Sequence, residues 1–223
     1  TMSPLLMESF LKLSQDIAIS PDINAKECKS WPWLFAAPGK DVPQAKAIRD
    51  RLKKLLRRAF RQPSEAAMVE RFAKFAEKQI AAGATWESAM RQVVSAVLGM
   101  PDFLYIYESP NPGTKLAGRQ RIDDYELATR LAQFFWSSIP DDTLLDLAAA
   151  SKLSDAKVLS EQIDRMMNDK KIGRFTDNSP AQWLQLDRLV TAIPDPKKFP
   201  YFYYDGYRTS MHMMSEPLLL FET

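Results

Sequence analysis

Two pairs of adjacent carboxylates, Asp123-Asp124 and Asp141-Asp142, are the residues in this chain best suited to chemistry. Such a pair can divide general acid and general base work, or hold Mg²⁺. Both pairs, however, open helical patterns, where a side-chain oxygen satisfies backbone N–H groups that the helix leaves unbonded. Capping is therefore the favoured reading, and an enzymatic site built on Asp123, Asp124, Asp141 or Asp142 would need further domains to complete it. The single histidine, His212, stands in Met211-His212-Met213-Met214, a setting that suggests an axial ligand to haem iron. Adjacent side chains diverge on a helix, so this tetrad makes a poor His/Met ligand pair and His212 is a weak cofactor-binding candidate. With one histidine there is no room for a His-x-x-x-His metal pair, and no nucleophile elbow or phosphate-cradling glycine loop occurs. No catalytic residue and no metal ligand set is identified, and the reading leans away from an enzyme.

Two further groups could bind rather than react. Arg49, Arg51, Lys53, Lys54, Arg57, Arg58 and Arg61 fall on one side of a single helical pattern, opposite Ile48, Leu52, Leu55, Leu56, Ala59 and Phe60. A face of this kind can hold phosphates or an acidic protein, with Arg49, Lys53, Lys54, Arg57, Arg58 and Arg61 as the candidate contacts. The whole chain sets 30 basic against 28 acidic side chains, a net charge of +2, which argues against nucleic acid as the partner and favours a solvated polar face. Between Phe199 and Tyr207 the chain places six aromatics in nine residues. Tyr201, Tyr203, Tyr204 and Tyr207 are candidates for a stacking surface that takes carbohydrate or another surface polymer, although packing onto the helices is favoured.

The elements that must position these residues are helices. Apolar residues recur at helical spacing, and only seven of 223 residues are glycine. A content of 46% hydrophobic and 26% charged residues suits a chain with a real core, and the class is all-α: two consecutive helical-bundle modules packed into one scaffold. Cys28 is the single cysteine, so no internal disulfide, zinc ribbon or c-type haem attachment motif can form within the chain. No apolar run approaches the roughly 20 residues that span a bilayer, so no transmembrane segment is expected. Thr1-Met2-Ser3-Pro4 lacks the pattern of a signal peptide. The chain starts at Thr1 and stops at Thr223 inside a helical pattern, which reads as a piece of a longer polypeptide.

A first helix is expected over Pro4–Ile19, followed by an irregular connection anchored by Trp31 and Trp33. Asp41 is the expected N-cap of a helix to about Arg61. The next helix opens at Pro63-Ser64 and ends near Gly83, and Thr85 caps one whose inward stripe is Trp86, Met90, Val93, Val94, Val97 and Leu98. Residues 109–118, with Pro110, Pro112, Gly113 and Gly118, form the expected linker between a module over 1–108 and one over 119–223. In the second module Asp123 is the N-cap, Glu126 its capping-box partner, and Ile122 with Leu127 the hydrophobic staple. Leu127, Leu131, Phe134 and Phe135 form the expected buried stripe, and Pro140 ends that helix. Ser154 is expected to cap a helix to Met167, and Pro180 to open one with Trp183, Leu184, Leu186 and Leu189.

Three stretches resemble consecutive modules of one family: Leu55 to Pro63, Val93 to Tyr107 with its Met100-Pro101-Asp102-Phe103-Leu104-Tyr105 ending, and the signature helix Asp123 to Asp142. Gln182-Trp183-Leu184 and Pro194-Asp195-Pro196-Lys197-Lys198-Phe199-Pro200 fit the same pattern. The family is the planctomycete-type, cytochrome-c-associated group of domains of unknown function, and the resemblance covers about residues 35–223. It implies helical modules of large exported bacterial proteins, periplasmic or at the cell surface, with covalent haem c in neighbouring domains rather than in this chain. The implied partners are other domains of the same polypeptide or a redox protein. The sequence departs from the family pattern near Ala36 or Ala37 and near Ala45, where members carry cysteines. The expected function is a non-catalytic scaffold or docking domain of an electron-transfer protein, with a carbohydrate or surface-polymer module as the alternative.

Overall fold

The computed structural model describes residues 3–106, 115–116, 119–120, 122–203 and 209–222, without the side chains of 115, 116, 119, 120, 190, 209, 210, 221 and 222. The described residues form an all-α protein; their only strands are β1 and β2, two residues each. The chain divides into two compact units, Thr1–Ile122 and Asp123–Thr223. The linker expected at 109–118 falls almost wholly outside the described residues.

In the first unit, α1 (Pro4–Ile19) starts where expected: Pro4 fits the first turn and the Ser3 hydroxyl accepts from the Leu6 N–H at 3.3 Å. After α2 (Trp31–Leu34), α3 (Gln44–Phe60) begins two residues later than the Asp41 cap implies. Pro43 disfavours a helical residue before it, so Pro43 takes the cap position and Asp41 caps nothing. α4 (Ala66–Ala81) ends at Ala82 and Gly83, whose φ of +96° is costly for a residue with a Cβ. Thr85 caps α5 (Trp86–Leu98) through the Ser88 N–H at 3.2 Å, and α6 (Pro101–Leu104) follows, then β1 (Lys115–Leu116) paired antiparallel with β2 (Arg119–Gln120).

α3, α4 and α5 pack around one core, where Ile48, Leu52 and Leu56 meet Phe72, Ala73, Met90, Val93 and Val97. The expected stripes of α3 and α5 are thus the buried ones. α1 packs on α5. A Cβ on Gly99 would lie 2.9 Å from Leu11 Cδ2, so glycine there lets the two helices approach. Only Ser14 and Ala18 of α1 are buried, and its leucines and isoleucines remain largely exposed.

Three arginines hold the irregular segments of this unit by donating to backbone carbonyls. Arg51 donates to Leu34 O at 3.2 Å and to Ala36 O, with its guanidinium 4.7 Å from the Trp86 ring. Arg91 donates to Ala18 O at 2.6 Å and Ile23 O at 2.5 Å. Arg61, at the end of α3, has φ 62° and is 8% exposed, and it donates to Phe103 O (3.0 Å), Asp102 O (2.8 Å) and Tyr105 O (2.6 Å). A left-handed non-glycine residue costs on the order of 1 kcal/mol, and the carbonyl cluster around the guanidinium holds it there.

The second unit contains α7 (Asp124–Trp136), α8 (Asp142–Ala149), α9 (Ala156–Met167), α10 (Gly173–Trp183), α11 (Asp187–Thr191) and α12 (Thr209–Glu222). Trp136 is fully buried among Ala128, Ala132, Leu144, Leu153 and Met166, and its Nε1–H donates to Met166 O at 3.1 Å. The buried face of α7 is therefore Ala128, Ala132 and Trp136, not the expected Leu127, Leu131, Phe134 and Phe135. Leu127, Leu131 and Phe135 are half-buried at its edge and Phe134 is 55% exposed. The alanines let α7 approach its neighbours closely enough to enclose the largest side chain. α9 is capped by Asp155 rather than Ser154, whose N–H points to Asp124 Oδ2 at 3.4 Å. Pro180 lies inside α10 rather than opening it, and Trp183 is 75% exposed.

Arg61→Ala leaves buried carbonyls without a donor and is expected to destabilise the first unit by about 2–4 kcal/mol. Arg61→Lys should recover less than half, because an ammonium cannot reproduce the planar fork. Urea unfolding of the three proteins decides it; equal stability of Arg61→Ala and the parent would show that the clamp carries no net energy.

Candidate functional site

The basic face of α3 is largely used within the fold. Arg49 forms a two-pronged pair with Glu70, Nε to Oε2 at 2.9 Å and Nη2 to Oε1 at 2.7 Å, and Nη1 reaches Glu77 Oε1 at 2.7 Å. These bonds, to Glu70 first and Glu77 second, raise the Arg49 pKa, and the Arg49 bond lowers that of Glu70. Arg51 and Arg61 are turned to carbonyls, and burial lowers the pKa of both. Arg61 lies in the interior and not on the basic face, because the left-handed residue after Phe60 swings its side chain off the helix surface towards the backbone of α6. Lys54 is exposed with Nζ 4.8 Å from the Trp33 ring, Lys53 is exposed, and Arg57 and Arg58 are half-buried and engaged.

The carboxylate pairs act as caps and loop anchors. Asp123 Oδ1 accepts from the Glu126 N–H at 2.7 Å, and Asp124 Oδ2 accepts from the Leu153 N–H at 2.8 Å. Glu126 does not complete the capping box: its Oε1 takes Arg130 at 2.5 Å, and its buried Oε2 has no hydrogen-bond partner. Asp141 accepts from the Leu144 N–H at 3.0 Å and receives Arg165 at 2.7 and 3.3 Å. Burial alone would push the Asp141 carboxyl up, but the bonds from Arg165 and Leu144 outweigh it and hold the group below its ordinary value. Asp142 lies exposed in the first turn of α8, where a carboxylate also suits the helix dipole.

Of the aromatic candidates, Tyr201 is 79% exposed, and Tyr203 is exposed with its hydroxyl donating to Pro194 O. Tyr204 and Tyr207 lie outside the described residues. His212 is exposed in the first turn of α12, between the exposed Met211 and Met213. Among the described residues, no group of three or more His, Cys, Asp or Glu could hold a metal ion, and no helix is long and apolar enough to cross a membrane.

Apolar side chains also remain accessible. Leu5, Leu6, Leu11, Leu13, Ile17 and Ile19 are exposed on α1, and Trp183, Ile193, Phe199 and Tyr201 in the second unit. Residue-by-residue chemistry missed this surface, since each side chain fits an ordinary amphipathic pattern and only the packing shows which faces are left uncovered.

Comparison with known families agrees with the order of the two units. Residues 122–223 match a family described as PSD4, Protein of unknown function (DUF1592), and residues 47–108 match one described as PSD5, Protein of unknown function (DUF1595). Both families are described as of unknown function, and one match lies in the first unit while the other spans the second. No curated protein and no solved structure matches it.

Asp141 adds stability that is present above the ordinary carboxylate range and disappears as pH falls through its lowered folded value. Asp141→Asn keeps a capping oxygen but loses the charge, so it should cost about 1–3 kcal/mol at neutral pH. The gap to the parent should close as pH falls through and below the ordinary carboxylate range. Denaturation at a series of pH values tests this; a gap independent of pH would remove the Arg165 pair as its source.

Proposed function

We propose that this chain is a non-catalytic helical scaffold that docks other domains of an exported, cytochrome-c-linked electron-transfer protein. The observation that carries docking is an apolar stripe of α1 left in solvent, Leu6, Leu13 and Ile17 at i, i+7 and i+11, which are 46%, 52% and 43% exposed. Contiguous exposed apolar side chains of this kind mark interaction surfaces. The carboxylates and arginines most suited to chemistry are already bound to backbone groups or to each other, which supports a structural role for them. The redox role, the haem c in neighbouring domains and the exported location are supported by the resemblance of the Leu55–Pro63, Met100–Tyr105 and Asp123–Asp142 stretches to the cytochrome-c-associated family.

Purified at full length from its own host, the protein is expected to show a Soret band that shifts on dithionite reduction, a mass excess equal to covalent haem, and a Cys-x-x-Cys-His motif outside these residues. An intact full-length protein with none of the three overturns the redox assignment. Docking is read separately by hydrogen exchange. The amides of α1 should exchange more slowly in the full-length protein than in the 223-residue chain. Identical exchange in both would mean that the α1 face is not covered.

A further inference from the structure

On the second unit, α7 and α10 border an open surface groove of about 580 Å³ that none of the roles above uses. Leu127, Leu131 and Phe134 of α7 supply its apolar part. They lie at i, i+4 and i+7, so one helical face lines it. Around them stand Gln133 and Ser137 at the end of α7 and Asn178, Ser179 and Gln182 on α10. Arg130 is the charged residue of the lining, and it is held by Glu126 at 2.5 Å. Asn178 is held as well, its Nδ2 donating to Arg174 O at 2.8 Å and lying 3.4 Å from Ser137 Oγ. Trp183, four residues after Ser179 and hence beside it on the surface of α10, lies outside the lining and is 75% exposed, where a ligand longer than the cleft would reach it.

We propose that this cleft is a saccharide-binding site for a neutral, polyhydroxylated sugar chain. The five amide and hydroxyl side chains can each both donate and accept, which suits a ligand whose own groups do the same. A sugar ring meets that requirement with its hydroxyls and offers a C–H face to Phe134, Leu131 and the Trp183 indole. The charge balance opposes a phosphate ligand, because Glu126 already neutralises Arg130. An extended peptide is usually matched by a strand edge, which two helices lack. A docked helix would want apolar side chains from both walls of the groove, whereas here the three apolar ones all belong to α7 and six polar side chains, Arg130 among them, border them. The proposal is independent of the redox reading and of Tyr201.

The test is a ¹H–¹⁵N NMR titration of the full chain with cellohexaose, laminarihexaose, xylohexaose and mannohexaose. Oligogalacturonate and an amphipathic helical peptide serve as the other probes. At least one neutral hexasaccharide is expected to shift resonances of Phe134, Ser179, Gln182 and Trp183 saturably. Gln182→Ala, an exposed position, and Trp183→Ala should each weaken binding about tenfold without changing the folded spectrum, while Tyr201→Ala leaves it intact. The proposal is overturned if no neutral sugar perturbs the cleft, if only the peptide or oligogalacturonate does, or if Tyr201→Ala abolishes binding while the two cleft variants do not.

Discussion

The guanidinium-to-carbonyl bond is the interaction on which the first unit depends. A helical bundle joined by irregular chain leaves carbonyls buried without a ladder partner, and each unpaired one costs as much as a lost hydrogen bond. Arg51, Arg61 and Arg91 each close two or more such acceptors at once. One planar fork thus replaces several separate donors, which a lysine could not do. The tryptophans beside them complete the arrangement: Arg51 lies over Trp86, and Arg91 lies 5.6 Å from Trp31. The loop that the two tryptophans anchor is therefore held by both charge and apolar contact.

The second unit solves the same problem with carboxylates. Asp124 opens α7 and binds the backbone of the α8–α9 connection, and Asp141 both caps α8 and receives Arg165 from α9. Between them Trp136 fills the interior, with Lys171 Nζ 4.1 Å from its ring. The residues that looked most reactive are thus the ones that set helix ends and crossings. Among the described charged residues only Arg61 and Glu126 are buried, and exposed apolar side chains remain on α1 and around Trp183.

Docking and sugar binding place different demands on those faces. The Leu6, Leu13 and Ile17 stripe of α1 has little hydrogen-bonding capacity of its own, and suits another packed protein surface. The α7–α10 cleft mixes amides, hydroxyls and rings, and suits a small wet ligand. The two features lie on different units and can act independently.

Helix class, helix positions and most caps are legible in the sequence, because they rest on chemistry within one or two turns. Ser3, Thr85, Asp123 and Asp141 bond N–H groups three residues away, and the apolar spacing of α3 and α5 names their buried faces directly. The reading fails where partners are distant or where local patterns compete. Arg61 looks like one more cation on a polar face, yet its acceptors lie 41 to 44 residues downstream. On α7 two apolar faces compete, and hydrophobicity favours Phe134; the tertiary structure chose Ala128, Ala132 and Trp136, because enclosing an indole needs small neighbours. That choice left Phe134 outside, and with it the cleft. The sequence by itself thus determined the helical class and those helix ends whose caps bond within one turn, while only the tertiary structure decided which charges turned inward and which apolar face stayed in solvent, since both depend on packing between segments that no local periodicity encodes.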